Sequence, residues 1–112
     1  MKNYIALFMA PMAGLDEMKK NTDPQRMTEM NDRWNAWMEA HQDDFVDRGS
    51  MLGKNKRVTK DGITDVRNEL TGFSIVKANS PEGAAKIFQD NPQLEMPGSY
   101  IDVIEWYEMP KI

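Results

Sequence analysis

The sequence predicts an α+β domain whose elements run β-α-β-β-α-β, the ferredoxin-like order, around one four-stranded antiparallel sheet. Three observations carry this. Four short runs rich in β-branched, aromatic and other apolar residues are separated by turn-forming residues. Two helix starts, Thr22-Asp23-Pro24-Gln25 and Ser80-Pro81-Glu82, fall in the crossovers between strands one and two and between strands three and four. Strands one and four are apolar on both faces, more than two helices on one side of a sheet can cover.

Each element follows from its residues. Tyr4 to Met9 is a continuous apolar run stopped by Pro11, the pattern of a strand buried on both faces. A cleaved leader is the alternative for this stretch, but the run is short and Asp16 and Glu17 follow closely. Residues 10–23 form a connector rich in Met, Gly and charge, with a turn of helix around Leu15 to Lys19 and the length of a lid or pocket edge. Thr22 caps the first helix, with Gln25 three residues on and Pro24 in the first turn, where its missing N–H costs nothing. Met27, Met30, Trp34, Trp37, Met38, His41 and Phe45 recur at spacings of three and four. They form one apolar stripe on a helix reaching about Asp47 and ended by Gly49.

Met51 to Thr59 reads as strand two, Lys60-Asp61-Gly62 as a turn, and Gly72 to Ala78 as strand three. Ser80 caps a second helix with Pro81 at its first position, Ala84, Ala85, Ile87 and Phe88 on its buried face, and Asn91-Pro92 at its end. Pro97-Gly98 leads into strand four, Tyr100 to Tyr107. Right-handed crossovers place both helices on one face of the sheet. The other face still carries Ile5, Leu7 and Met9 from strand one and Ile104 and Trp106 from strand four. The expectation is therefore a homodimer in which a twin sheet covers that face, with higher assembly left open.

Bulk properties narrow the function classes. The 112 residues fit one domain over 1–112, and 40% hydrophobic with 29% charged residues places it among globular chains. A net charge of −4 argues against a nucleic-acid partner, which calls for a basic footprint. No stretch reaches the ~18–20 apolar residues of a membrane span. Without cysteine there is no disulfide, thiolate nucleophile or cysteine-ligated metal, and a cytoplasmic setting is the simplest reading. No Gly-rich phosphate loop, nucleophile elbow or His-x-x-x-His pair is present, so no cofactor or metal is called for.

Several segments resemble one family when read in order. They are the tryptophan-bearing first helix with Gly49 and Met51-Leu52-Gly53, the run Leu70-Thr71-Gly72-Phe73-Ser74-Ile75-Val76-Lys77-Ala78, Ser80 opening an Ala-rich helix, and Pro97-Gly98-Ser99-Tyr100-Ile101-Asp102-Val103. The set is similar to the YCII-related (YciI/DGPF-type) family of dimeric α/β-barrel proteins, over about residues 3–109. The resemblance implies a dimeric barrel, related to cofactor-independent isomerases and oxygenases. The chain departs from the family at its Asp-Gly-Pro-Phe motif, which is degenerate here, as Asp61-Gly62-Ile63-Thr64 or at nearby Asp65. It departs again at the suggested acid/base pair of some members, a first-helix histidine and an aspartate before a proline. The matching stretches are Asn35-Ala36-Trp37 and Asn91-Pro92, so both groups are missing, and His41, about a turn later, does not inherit the role.

The candidate chemistry rests on few residues. His41, the single histidine, is the candidate acid/base group because histidine exchanges protons near neutral pH. The plainer reading is an interfacial histidine with a satisfied hydrogen bond. Asp43 and Asp44 follow closely but are placed on another side of the helix. Trp34 and Trp37 read as core, or, more sharply, as lining for a flat, partly apolar ligand. Glu105 shares its strand face with Val103 and Tyr107, so it is either a buried carboxylate with a raised pKa or a group reaching solvent or a partner. Lys54, Lys56, Arg57 and Lys60 read as a solvated hairpin edge, and Asp61 with Asp65 lacks the spaced ligands of a calcium loop. Two functions follow: a dimer binding a small organic ligand between sheet and first helix near Trp34, Trp37, His41 and Glu105, with proton transfer as its enzymatic form, or a non-catalytic interaction or regulatory module whose sheet face serves only assembly.

Overall fold

The computed structural model describes residues 1–12 and 23–110. Its elements are β1 (Lys2–Met9), α1 (Pro24–Ala40), a 3₁₀ turn (Gln42–Asp44), β2 (Phe45–Met51), β3 (Asn55–Thr59) and β4 (Gly62–Val66). Then follow β5 (Leu70–Ala78), α2 (Pro81–Ile87), a second 3₁₀ turn (Pro92–Glu95) and β6 (Tyr100–Glu105). The domain is α+β, with a four-stranded antiparallel sheet in the order β2-β5-β1-β6 and a separate two-stranded hairpin, β3-β4.

Alternation along the central strands sets the core. Tyr4, Ala6 and Phe8 of β1 lie opposite Val76, Ser74 and Gly72 of β5 on one side and Glu105, Val103 and Ile101 of β6 on the other. Because paired residues share a face, this row of side chains points to one side of the sheet. There Tyr4, Ala6, Phe8, Val76 and Ala78 close on Trp37 of α1, Ala84 of α2 and Phe88 just beyond it. Both helices thus pack on the same face. Phe8 meets Trp34 and Phe88 edge-on, with ring centroids 5.6 and 5.9 Å apart. Burying each such ring contributes roughly 1.5–3 kcal/mol.

In the second half of the chain the expected elements are present, but α2 stops at Ile87, short of Asn91-Pro92, and Ala85 is exposed where a buried face is expected. Ser80 caps α2, its hydroxyl accepting from the Gly83 N–H at 3.0 Å, and Pro81 occupies the first turn. The third sheet strand starts two residues before Gly72, and the fourth ends at Glu105 rather than Tyr107. No helix among the described residues is long and apolar enough to cross a membrane.

The first half needs correction. The predicted helical turn at Leu15 to Lys19 and the Thr22 cap lie outside the described residues, and α1 is capped by Asp23, whose Oδ1 accepts from the Gln25 N–H at 3.1 Å. The helix stops at Ala40, not near Asp47. His41 closes it through its backbone N–H to the Trp37 carbonyl, and Phe45 leaves the helical stripe to pair with Val76. Burial of Phe45 on the sheet wins over the residue's place in a 3.6-residue period, a tertiary override of local pattern. Met27, at the other end of the stripe, is 54% exposed.

Gly49 therefore ends no helix. It sits within β2, at φ +81° in an irregular stretch of its pairing with β5, where a Cβ would stand 1.7 Å from the Phe73 carbonyl oxygen. Only glycine permits that approach. The second strand of the sheet ends at Met51, where the sequence reading began it. The basic run placed in that strand forms the hairpin instead, turning at Lys60-Asp61.

Candidate functional site

Trp37 organises the candidate site. Its ring is buried among Trp34, Phe45 and Phe88 at centroid distances of 6.0, 5.5 and 5.4 Å. Buried indole calls for a partner for its N–H. Asp90, in the short link after α2, supplies one, with Trp37 Nε1 donating to its Oδ1 at 3.0 Å. The link is held from the other side by Asn91, 2% exposed, whose side chain accepts from the Gln93 N–H at 2.8 Å and so starts the second 3₁₀ turn.

The same Asp90 oxygen lies 3.3 Å from His41 Nε2. The other ring nitrogen, Nδ1, lies 3.5 Å from Asp44 Oδ2. The imidazole also rests against the Trp37 ring at 5.1 Å. The 3₁₀ turn makes the second carboxylate contact possible, since it carries Asp44 back over the residue three before it. This overturns the sequence placement of Asp44 on another side of the helix. His41 is thus a half-buried imidazole, its side chain 20% exposed, with a carboxylate at each nitrogen. Such an arrangement orients the ring whichever nitrogen carries the proton.

Beside this cluster runs an open cleft of about 330 Å³ between α1 and the second 3₁₀ turn. Ala36, Ala40 and Pro92 give it apolar lining, and Arg33, Asp90 and Glu95 give it charge, with Arg33 and Glu95 forming an ion pair. The cleft is on the outer side of the helix. The space between sheet and α1, where the sequence reading places a ligand, is filled by Tyr4, Phe8, Trp37 and Val76.

The four residues singled out in the sequence are only partly brought together. Trp37 and His41 meet, and Trp34 stands behind them in T-shaped contact with Trp37 and Phe8. Glu105 is elsewhere. It ends the row Phe45, Val76, Tyr4, Glu105 across all four strands, so roughly 14 Å of sheet separates it from the Phe45 edge. Its carboxylate accepts from the Tyr107 hydroxyl at 2.8 Å and pairs with Lys2 at 3.1 Å. First the Tyr107 hydrogen bond and then Lys2 hold this carboxyl below the usual range, so of the two readings of Glu105 the buried carboxyl with a raised pKa is the one that does not fit. The hydrogen bonds to Glu105 in turn raise the Lys2 ammonium and the Tyr107 hydroxyl.

Asp90 is the functional candidate that sequence reasoning missed. It is separated from His41 by 49 positions, and no period or spacing links them. The only pointer is its place directly before Asn91-Pro92. In the hairpin, Asp65 is taken by Lys56 as an ion-pair partner, and among the described residues no group of three His, Asp or Glu side chains is placed to hold a metal ion. No protein-family model matches the chain, and no curated protein matches its sequence.

Proposed function

We propose that the chain is a YCII-related protein of ferredoxin-like order that pairs as a dimeric α/β barrel and binds a small, partly apolar organic molecule at the cleft beside Trp37. In this reading His41 is the acid/base group and Asp90 and Asp44 orient it, giving cofactor-independent proton transfer. The observation that carries it is the imidazole with a carboxylate beside each nitrogen and an indole against its ring, next to a cleft that the same Trp37 and Asp90 line. Positioned acid/base groups of this kind contribute about 10²–10⁴-fold to rate. Asp90 stands next to the Asn-Pro step and lies 3.3 Å from His41, a histidine–aspartate contact at positions other than those of the family's suggested pair. The strand order β2-β5-β1-β6, with the hairpin set aside, supports the ferredoxin-like assignment. The apolar sheet face opposite the helices supports the dimer.

Phenylacetone, a neutral aromatic ketone with exchangeable α-protons, suits the test. Proton NMR in heavy water follows loss of its α-proton signal. The wild-type chain should speed exchange well beyond His41→Ala, with Asp90→Asn between them. Equal rates for all three, with no quenching of Trp fluorescence by the ketone, would sink the site and favour the second reading. That reading is a non-catalytic interaction or regulatory module, supported by the filled space between helix and sheet.

A further inference from the structure

Among the described residues, nothing covers the β3-β4 hairpin. Its strands pair from Asn55 with Val66 to Thr59 with Gly62, and only those first two residues, at its base, are half-buried. A two-stranded hairpin alone in water is marginal. Yet Val58 stands directly opposite Ile63, and the two are 75% and 70% exposed on the face that also bears the Lys56–Asp65 ion pair. The segment also has the opposite sign to the rest of the protein. Residues 54–66 carry Lys54, Lys56, Arg57 and Lys60 against Asp61 and Asp65, a net +2 in a chain of net −4, which leaves −6 elsewhere.

A second stripe has the complementary pattern. β6, an edge strand, turns Tyr100, Asp102 and Ile104 away from the helices, and Trp106 follows on the same alternation. Tyr100, Ile104 and Trp106 are 40%, 48% and 49% exposed. Asp102 and Glu108 flank Ile104 and Trp106, as Lys54 and Lys60 flank Val58, each pair six residues apart. The hairpin joins β2 to β5, on the far side of the sheet from β6, so the two stripes belong to opposite edges of one molecule.

We propose that the hairpin is an arm that docks on the β6 stripe of a second copy, Val58 and Ile63 against Ile104 and Trp106, with Lys54 and Lys60 facing Asp102 and Glu108. The inference rests on the reading that two copies pair through the open sheet face, and two-fold symmetry then makes the contact twice. Charge complementarity selects the second copy as occupant, and burial of four exposed apolar side chains supplies attraction.

Sedimentation equilibrium of the full chain tests this with charge reversals at exposed positions. Lys54→Glu with Lys60→Glu should weaken the dimer about tenfold or more, and so should Asp102→Lys with Glu108→Lys. Combining all four should restore the dissociation constant to within about threefold, and 1 M salt should shrink every difference. Reversals without effect, or a combined variant no tighter than either parent, would overturn the arm. If the reversals do nothing while Leu7→Lys separates the copies, the sheet pairing stands and the arm falls. If Leu7→Lys does nothing while the reversals act and rescue, the arm stands without the sheet pairing. A wild-type chain monomeric at micromolar concentration overturns both.

Discussion

On the helix-bearing face of the sheet, Tyr4, Ala6 and Val76 are at most 1% exposed and Phe8 is 6% exposed. On the other face, Ile75 at the centre is 7% exposed, Ile5, Leu7, Met9 and Phe73 are half-buried, and Ile104 on the edge strand stays 48% exposed. The two faces have similar apolar chemistry and different fates. One is closed by Trp37, Ala84 and Phe88, and the core cluster these residues form takes in no residue of the other. Apolar residues on a strand therefore specify that a face is to be covered, without specifying by what. The molecule, 19 Å across its shortest axis, is one sheet and one layer of helix thick.

The comparison breaks most severely at the closed face. Phe8→Ala removes a ring that Trp34 and Phe88 both contact, and is expected to cost about 3–5 kcal/mol in chemical denaturation. Gly49→Ala comes next, at about 2–4 kcal/mol, because its Cβ would meet backbone of β5 at a positive φ. A loss well under 1 kcal/mol would mean that β2 is held more loosely than its pairing indicates. At the open face, Ile104→Lys should leave monomer stability within about 1 kcal/mol, while weakening self-association by more than tenfold in sedimentation. Equal stability losses at Phe8 and Ile104 would erase the distinction between the faces.

The smallest effect lies at the end of β6. The Glu105 carboxyl is lowered by Tyr107 and Lys2, so its contribution is present above the usual carboxylate range and is lost as pH falls through the lowered value. Lys2 and Tyr107 are raised by Glu105, so their contributions hold below their ordinary values and are lost as pH rises through the raised ones. Melting curves of wild type and Glu105→Gln should differ at neutral pH and converge in acid. Parallel curves across the acid range would remove this cluster from the stability of the strand.

Much of the fold was legible because it depended on neighbours in sequence. Ser80-Pro81 announced α2, Pro11 closed β1, and the run from Gly72 to Ala78 read as a strand. The stripe from Met27 to Phe45 misled because Phe45 suits both a helix period and a strand, and contact with Val76 decides between them. Gly49 misled for a related reason: its positive φ serves a close approach to Phe73 in the sheet as readily as a helix end. Of the candidate site, His41 and Trp37 were visible as residue types on one helix. Asp90 was not, since its role arises only when the end of α2 is laid beside the end of α1.

By itself, the sequence determined the number and class of the main sheet and helix elements, the apolarity of both sheet faces, and the segregation of basic charge into residues 54–60. Periodicity, capping and composition are local properties, readable without knowing what lies across space. Tertiary structure alone decided that Phe45 begins a strand, that the basic segment forms its own hairpin, that Glu105 is tied to Lys2 and Tyr107, and that His41 stands between Asp90 and Asp44. Each of these is a contact between residues whose meeting depends on how helices are seated on the sheet and strands are registered within it. That seating is fixed by the collective burial of the core, and no single stretch of the chain encodes it.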